Sequence, residues 1–286
     1  MLAAVASYLQ SLANRGKWLL RIEDIDPPRE QDGADKLIID TLALYGFDWD
    51  GPVIYQSQST ATHESYVTRL LERNLAYPCS CSRRDLADAP QGPLGTRYPG
   101  TCRSGCNAAE VAIRVLTDDT PVDFNDALQG PHEQRLEPES GDFVIKRRDG
   151  LIAYHLAVVA DDYEQGITQV VRGIDLLDST PRQIHLQRLL GFSTPSYLHI
   201  PVVINLDGQK LSKLSGATGI PLDEPAPVLA RALAVLRQPV TPDICRMSID
   251  EIWRYATAHW DPAPLLGIKS VPEPTDAMAA GQNGLR

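Results

Sequence analysis

Apolar positions recur at helical spacing from Leu2 to Asn14, and Gly16 is placed to end that run. The next residues, Lys17-Trp18-Leu19-Leu20-Arg21-Ile22, read as a strand bounded by Asp24 and the Pro27-Pro28 pair. Positions 34, 37, 38, 42 and 45 again follow a helical face, which predicts a helix over Ala34 to Tyr45 stopped by Gly46. A short strand at Val53 to Tyr55 and a helix from about Thr60 to Asn74 follow. Strands and helices that alternate in this way predict an α/β fold with a mostly parallel sheet.

The pattern changes between residues 79 and 106, where cysteine, glycine and proline replace periodic apolar positions. That stretch reads as an insertion held by something other than a core, with short strands of a small mixed region at Val111–Arg114 and Asp142–Lys146. Apolar periodicity returns at Ala153 to Ala160, then a strand at Val170-Val171 and a helix from Pro181 to Leu190 closed by Gly191. Leu198 to Ile204 is a further strand-like run. Helices are predicted at about Ala226 to Leu236 and Ile249 to Thr257, the second opened by Ser248 and Glu251 at capping-box spacing. The division expected is a first catalytic part over 1–75, an insertion over 76–140, a second catalytic part over 141–216 and a helical region over 217–261. Residues 262–286, with scattered prolines, glycines and small residues, are expected to form a frayed tail.

Composition narrows the function. The chain has 286 residues, 43% hydrophobic and 22% charged, as expected of a globular protein with a sizeable core. No 18-residue apolar run is present, the opening residues lack a signal-peptide layout, and a cytoplasmic protein without a membrane partner is expected. A formal net charge of -10 argues against broad binding to DNA or RNA. A locally positive groove remains open, with Arg182 to Arg188, Lys146-Arg147-Arg148 and Lys210/Lys213 as candidate segments.

Four of the five cysteines, Cys79, Cys81, Cys102 and Cys106, fall within 28 residues. Three thiolates and one more donor satisfy a closed tetrahedral zinc site, which is structural because it keeps no open position for water. Either Tyr98 or Cys106 can supply the fourth donor. Reduced unpaired thiols and a disulfide are the competing readings. His63 and His132 read as ordinary surface or partly packed histidines.

Other residues carry candidate chemistry. Lys210 and Lys213, three apart in a Gly/Ser-flanked loop beyond a strand-like run, suit a clamp on polyphosphate, although two lysines in a polar loop are also a common solvated surface. Glu23, after a strand, can accept hydrogen bonds from an ammonium group or simply belong to a solvated acidic loop. Arg172, at a strand end before Gly173, suits a bidentate grip on a carboxylate, its bland alternative being an ion pair with Asp175 or Asp162. Tyr154 offers a hydroxyl from an apolar segment, or is a core tyrosine.

Four blocks taken together change the weight of these readings. Leu20-Arg21-Ile22-Glu23-Asp24-Ile25-Asp26-Pro27-Pro28-Arg29 resembles the stretch after the first helix of glutamyl-type class I aminoacyl-tRNA synthetases. Tyr154-His155-Leu156-Ala157 through Asp162, with Gly166-Ile167-Thr168, and Val171-Arg172-Gly173-Ile174-Asp175 through Pro181 agree in order and spacing. Lys210-Leu211-Ser212-Lys213-Leu214 is a variant of the Lys-Met-Ser-Lys-Ser signature of that class. The short region after the lysine loop is similar to the truncated branch of the family that glutamylates the queuosine base of tRNA(Asp).

The resemblance implies a Rossmann-like catalytic domain that binds ATP with Mg(2+) and L-glutamate, and a queuosine-containing tRNA(Asp) as partner, in a protein expected to be a monomer. It places Glu23, Tyr154 and Arg172 against glutamate, and Lys213, aided by Lys210, against ATP. It implies one structural Zn(2+) held by Cys79, Cys81, Tyr98 and Cys102, with Cys106 as the alternative fourth ligand. The family's opening strand and His-x-Gly-type signature have no counterpart here, so an exposed parallel sheet edge and little adenylation by the chain as written are expected. A glutamyl-tRNA synthetase catalytic fragment and a non-catalytic, zinc-stabilised tRNA-binding protein are the alternative readings.

Overall fold

The first apolar periodicity folds as the helix Leu2–Ala13, which buries Val5, Ala6, Tyr8 and Leu9. Its stop falls one residue earlier than the glycine: Arg15 takes the left-handed conformation at φ 53°. Gly16 matters for close approach, since its amide donates to Ser11 O at 2.9 Å and a Cβ there would lie 3.3 Å from Ser11 Oγ. The computed structural model describes residues 1–205, 207–211 and 219–273.

Parallel pairing dominates the centre, as the alternation predicts. Arg21–Ile22 pairs with Ile54–Tyr55 in parallel, and Gln169–Gly173 pairs in parallel with Ser196–Ile200, which continues in parallel to Pro121–Asp126. A hairpin partner, Gly130–Arg135, closes that four-stranded sheet antiparallel. The hairpin falls within the stretch expected to be insertion, yet it hydrogen-bonds to the sheet that carries Arg172. Its strands are short and mixed in polarity, so its partner could not be read locally. The remaining mixed region is a three-stranded antiparallel sheet of Ala76–Cys79, Ala112–Val115 and Val144–Lys146.

Among the described residues, Arg21–Ile22 and Gln169–Gly173 are both edge strands and do not pair with each other. An open cleft of about 780 Å³ lies between them, walled by residues 16–21 on one side and 165–172 on the other. The helix Leu2–Ala13 and the helix Tyr154–Glu164 contribute Ser7, Gln10, Tyr154 and Asp162 to its lining. Arg21 and residues 169–172, on the two unpaired strand edges, line this cleft.

Two apolar clusters flank this architecture. One joins the first helix to the helices Pro225–Val235 and Ile249–His259, and the other lies between the helices Thr60–Glu72, Tyr154–Glu164 and Thr180–Leu190 and the strands beside them. The Ser248–Glu251 capping box opens the last helix as expected. In the first cluster Trp253 sits 4.8 Å from Tyr8 and 4.9 Å from Phe47, centroid to centroid, and donates from Nε1 to Tyr45 O at 2.9 Å. Trp253→Ala removes both the packing and that bond, and is expected to cost about 3–5 kcal/mol, read as a lower midpoint in urea unfolding.

Two expectations are corrected. Residues 262–273 are not a frayed tail: Ser270–Pro272 pairs in parallel with Val202–Ile204, and Leu265 and Val271 are buried. Proline-rich sequence conceals this because an edge strand three residues long leaves no periodicity. Residues 274–286 lie outside the described residues. The helix Ala34–Leu44 also departs from its pattern, since Leu42 is buried while Leu37 and Ile38 are 58% and 51% exposed. Periodicity locates an apolar face without saying that anything covers it.

Candidate active site and metal centre

The cleft gathers residues far apart in sequence. Glu23 follows the strand Arg21–Ile22, Tyr154 opens a helix and Arg172 is the last residue but one of the strand Gln169–Gly173, and all three line the same space. Glu23 and Arg172 reach it from the carboxyl ends of their strands, where ligands gather in α/β folds.

Arg21 organises one wall. Its Nη1 donates to Gln165 Oε1 at 2.5 Å, and its Nη2 lies 2.9 Å from Asp162 Oδ1 and 3.5 Å from Glu23 Oε1. Restricted access to water pushes the Glu23 and Asp162 carboxyls above their ordinary values, with Arg21 pulling both back. Glu23 is 43% exposed, so it keeps a face toward the cleft. Burial also raises the Tyr154 hydroxyl, which therefore stays protonated and available as a donor at neutral pH.

Arg172 makes neither of the ion pairs proposed as its bland reading. Asp162 pairs with Arg21, and Asp175 with Lys210 at 2.6 Å. Arg172 instead donates from Nε to His199 Nε2 at 3.0 Å, and from Nη2 to Thr180 Oγ1 at 2.8 Å and Gln183 Oε1 at 2.7 Å. These three and the fourth partner, Leu176 O at 3.3 Å from Nη2, are uncharged acceptors in this arrangement. Nη1 has no hydrogen-bond partner among the described residues, and no carboxylate there pairs directly with the guanidinium. Sequence reasoning missed His199, Thr180 and Gln183 in this role. The available signal was polar residues on the inward positions of otherwise buried segments.

Behind the cleft, His63 and Asp161 correct an expectation. His63 is not a surface histidine: it is 1% exposed, and its Nε2 lies 2.8 Å from Asp161 Oδ1. The pair ties the helix Thr60–Glu72 to the helix that carries Tyr154 and Asp162. His132 stacks on Phe124 at 5.3 Å between centroids. Lys210 forms an isolated antiparallel bridge with Ile204 and is not among the residues that line the cleft. Lys213 lies outside the described residues.

The cysteine cluster is a separate centre. The Sγ atoms of Cys79, Cys81 and Cys102 all lie within 4.8 Å of one another, with Cys81 and Cys102 at 3.6 Å. Tyr98 Oη sits among them, 3.3 Å from Cys79 Sγ and 3.6 Å from Cys81 Sγ. Tetrahedral zinc–sulfur bonds of about 2.3 Å put sulfurs about 3.8 Å apart, so these donors fit such an ion with little movement. Cys106 instead turns its thiol to Pro78 O at 3.3 Å. Burial pushes the Cys102 thiol up, but hydrogen bonds from Tyr98 and Ser80 outweigh it and bring the thiol down to about 6.

Local backbone supports that placement. Tyr98 N donates to Ser140 O at 3.1 Å, and Gly141, at φ 66°, approaches so closely that a Cβ would lie 2.3 Å from Tyr98 O. Arg103, next to Cys102, clamps the loop through Nε and Nη2 to the buried Asp142 at 2.7 and 2.6 Å.

Comparison with known proteins bears on both centres. Residues 2–223 match the family described as tRNA synthetases class I (E and Q), catalytic domain. The chain is 47% identical over 274 residues to the glutamyl-Q tRNA(Asp) synthetase of Pseudomonas entomophila (strain L48), covering 96% of this chain and 91% of that protein. The protein of the same name from Pseudomonas aeruginosa PAO1 is also 47% identical, with 96% and 92% covered. Two solved structures share the fold: a glutamate tRNA ligase from Elizabethkingia meningosepticum, in complex with its amino acid, and a glutamate-tRNA synthetase from Elizabethkingia anophelis. Their TM-scores are 0.78 and 0.80, each at 21% identity and covering 97% of this chain. The chain spans 64% and 65% of the length of those two proteins.

Proposed function

We propose that this chain, which belongs to the class I tRNA synthetase family for E and Q, activates L-glutamate with ATP and transfers it to the queuosine base of tRNA(Asp). The observation that carries the reading is the meeting of Glu23, Tyr154 and Arg172 on one cleft in a chain with these relatives. Glu23 accepts the substrate ammonium group, while Tyr154 and Arg172 Nη1 hold its side-chain carboxylate. The α-carboxylate then attacks the α-phosphate of ATP, forming the acyl–phosphate bond as pyrophosphate leaves. Lys213, with Lys210 beside it, neutralises the charge on the phosphates, and Mg(2+) accompanies the nucleotide. In the second step a hydroxyl of the queuosine cyclopentene ring attacks the activated carbonyl and AMP leaves, its phosphate accepting the proton.

The fit of the sulfur cluster supports one structural Zn(2+) held by Cys79, Cys81, Cys102 and Tyr98. The ion orders a segment whose own apolar cluster is little more than the ligands. Cys106→Ser is expected to retain one zinc per chain, because its thiol points to Pro78 O. Tyr98→Phe is expected to weaken zinc about tenfold or more, measured by competition with a chromogenic chelator. The reverse ranking would give Cys106 the fourth position.

The function is tested by glutamate-dependent ATP–pyrophosphate exchange, on this chain and on a form extended to the next in-frame start. Transfer of labelled glutamate to tRNA(Asp) from cells with and without queuosine completes the test. Exchange by at least one of the two forms, and label confined to queuosine-containing tRNA(Asp), is expected. Label on tRNA(Glu) instead would identify an ordinary glutamyl-tRNA synthetase. Silence of both forms while folded and zinc-loaded would leave a tRNA-binding protein.

A pH dependence follows from Glu23. Only its anion holds an ammonium group, and its carboxyl titrates above the ordinary 4.5. Glutamate affinity should therefore fall as pH drops from neutrality through that raised value, earlier than for a water-exposed carboxylate. Titration calorimetry showing unchanged affinity down to about pH 4 would remove Glu23 from the amino-group site.

A further inference from the structure

Arg172 and His199 face each other in register on neighbouring parallel strands. His199 is 0% and Asp126 1% exposed, so neither can touch a ligand. Asp126 closes the tight turn between Pro121–Asp126 and Gly130–Arg135, where its Oδ1 accepts the amides of Leu128 and Gln129, each at 2.9 Å. It also accepts the His199 amide, and its Oδ2 lies 2.6 Å from His199 Nδ1.

The protons can be assigned by elimination. A carboxylate only accepts, so Nδ1 carries a hydrogen and donates to Asp126. A guanidinium Nε–H only donates, so Nε2, which faces Arg172 at 3.0 Å, presents a lone pair. His199 is then neutral in the Nδ1–H tautomer. A second hydrogen on Nε2 would set donor against donor and charge against charge.

We infer that His199, held in this tautomer by Asp126, is the positioning residue for Arg172, and the inference rests on the proposed contact of Arg172 with the glutamate carboxylate. A carboxylate in direct contact would orient the guanidinium equally well, but would compete with the substrate for its charge. The imidazole separates the two functions. It fixes the Nε–H direction and leaves the positive charge for the ligand at Nη1, while Asp126 acts one bond network away. Thr180 Oγ1 and Gln183 Oε1 complete a cradle of neutral acceptors, consistent with the same requirement.

The test combines a tautomer measurement with glutamate binding. Six histidines make selective nitrogen-15 histidine labelling tractable. The wild-type chain should show an Nδ1–H tautomer whose signals vanish in His199→Gln, while those of His259, whose Nδ1 faces Tyr255 O at 2.8 Å, persist. Asp126→Asn turns its amide toward Nδ1, because Oδ1 is committed to the turn, and should convert His199 to the Nε2–H form. By calorimetry with L-glutamate, His199→Leu and Asp126→Asn should each weaken binding about tenfold or more. His199→Gln, which keeps an acceptor near Nε2, should recover most of that loss. Full affinity in a folded His199→Leu, or an Nε2–H tautomer at His199 in the wild type, overturns the inference. If Arg172→Ala binds glutamate normally, the assignment of Arg172 to the substrate fails separately. The tautomer then decides alone whether His199 orients Arg172, Nδ1–H sustaining that and Nε2–H overturning it.

Discussion

Arg172→Ala is expected to weaken L-glutamate binding by about 30-fold to several thousand-fold, the range for truncating one partner of a buried hydrogen-bonded charge pair. The size comes from two directions. The substrate carboxylate loses the guanidinium that meets it, and His199 Nε2, Thr180 Oγ1 and Gln183 Oε1 lose their donor inside the protein. Arg172→Lys should fall well short of wild type, because one ammonium cannot reach those acceptors and the cleft together. The measurement is the glutamate Kd by calorimetry, accompanied by far-ultraviolet circular dichroism to show that the helices persist. Binding within a factor of about three of wild type in a folded Arg172→Ala would remove the carboxylate site from this position.

The second large effect concerns the metal centre. Removing zinc with a strong chelator, or replacing Cys102 with serine, should release one ion per chain and unfold the segment from about residue 80 to residue 110. The buried cluster there consists of Tyr77, Cys79, Tyr98 and Cys102, so almost nothing but ligands and their neighbours holds it. Structural zinc in small domains supplies about 10–16 kcal/mol of binding free energy, far more than such a cluster can replace. The unfolding should stay local. Ala76, Ile113 and Val115 belong to the neighbouring larger core, which anchors the ends of the insertion. Hydrogen exchange should therefore accelerate over residues 80–110 while the helices Thr60–Glu72 and Thr180–Leu190 remain protected. Global unfolding on chelation, or no change in exchange, would contradict a zinc-ordered insertion.

These two centres differ in how far they could be read from the chain. The cysteine cluster is compact in sequence, and three thiols within 24 residues, Cys79 to Cys102, could meet without knowledge of the rest of the fold. The fourth donor could not be chosen that way. Cys106 is as close along the chain as Tyr98, and what favours Tyr98 is the turn through residues 98–105 and Gly141, which lets the Tyr98 backbone approach. The exposed face of Ala34–Leu44 and the packed segment 262–273 are the matching cases in the fold. Both depend on whether a partner surface exists, and periodicity carries no information about partners.

Local pattern determined most helices and the alternation that makes a mostly parallel sheet, while Glu23, Tyr154 and Arg172 stand out by their side-chain chemistry and are placed against a substrate only by the family resemblance. Those features depend on backbone period, on turn residues and on side-chain type, all of which are written within a few positions. Tertiary structure decided what surrounds them. Asp126 and His199 stand 73 residues apart and Arg172 27 from His199, so their joint proton arrangement exists only once three strands are in register. The same holds for the cleft, which is a gap between two sheet edges. Sequence separation hides such contacts because each residue's local environment is satisfied equally well by other partners, and only the closed fold selects among them.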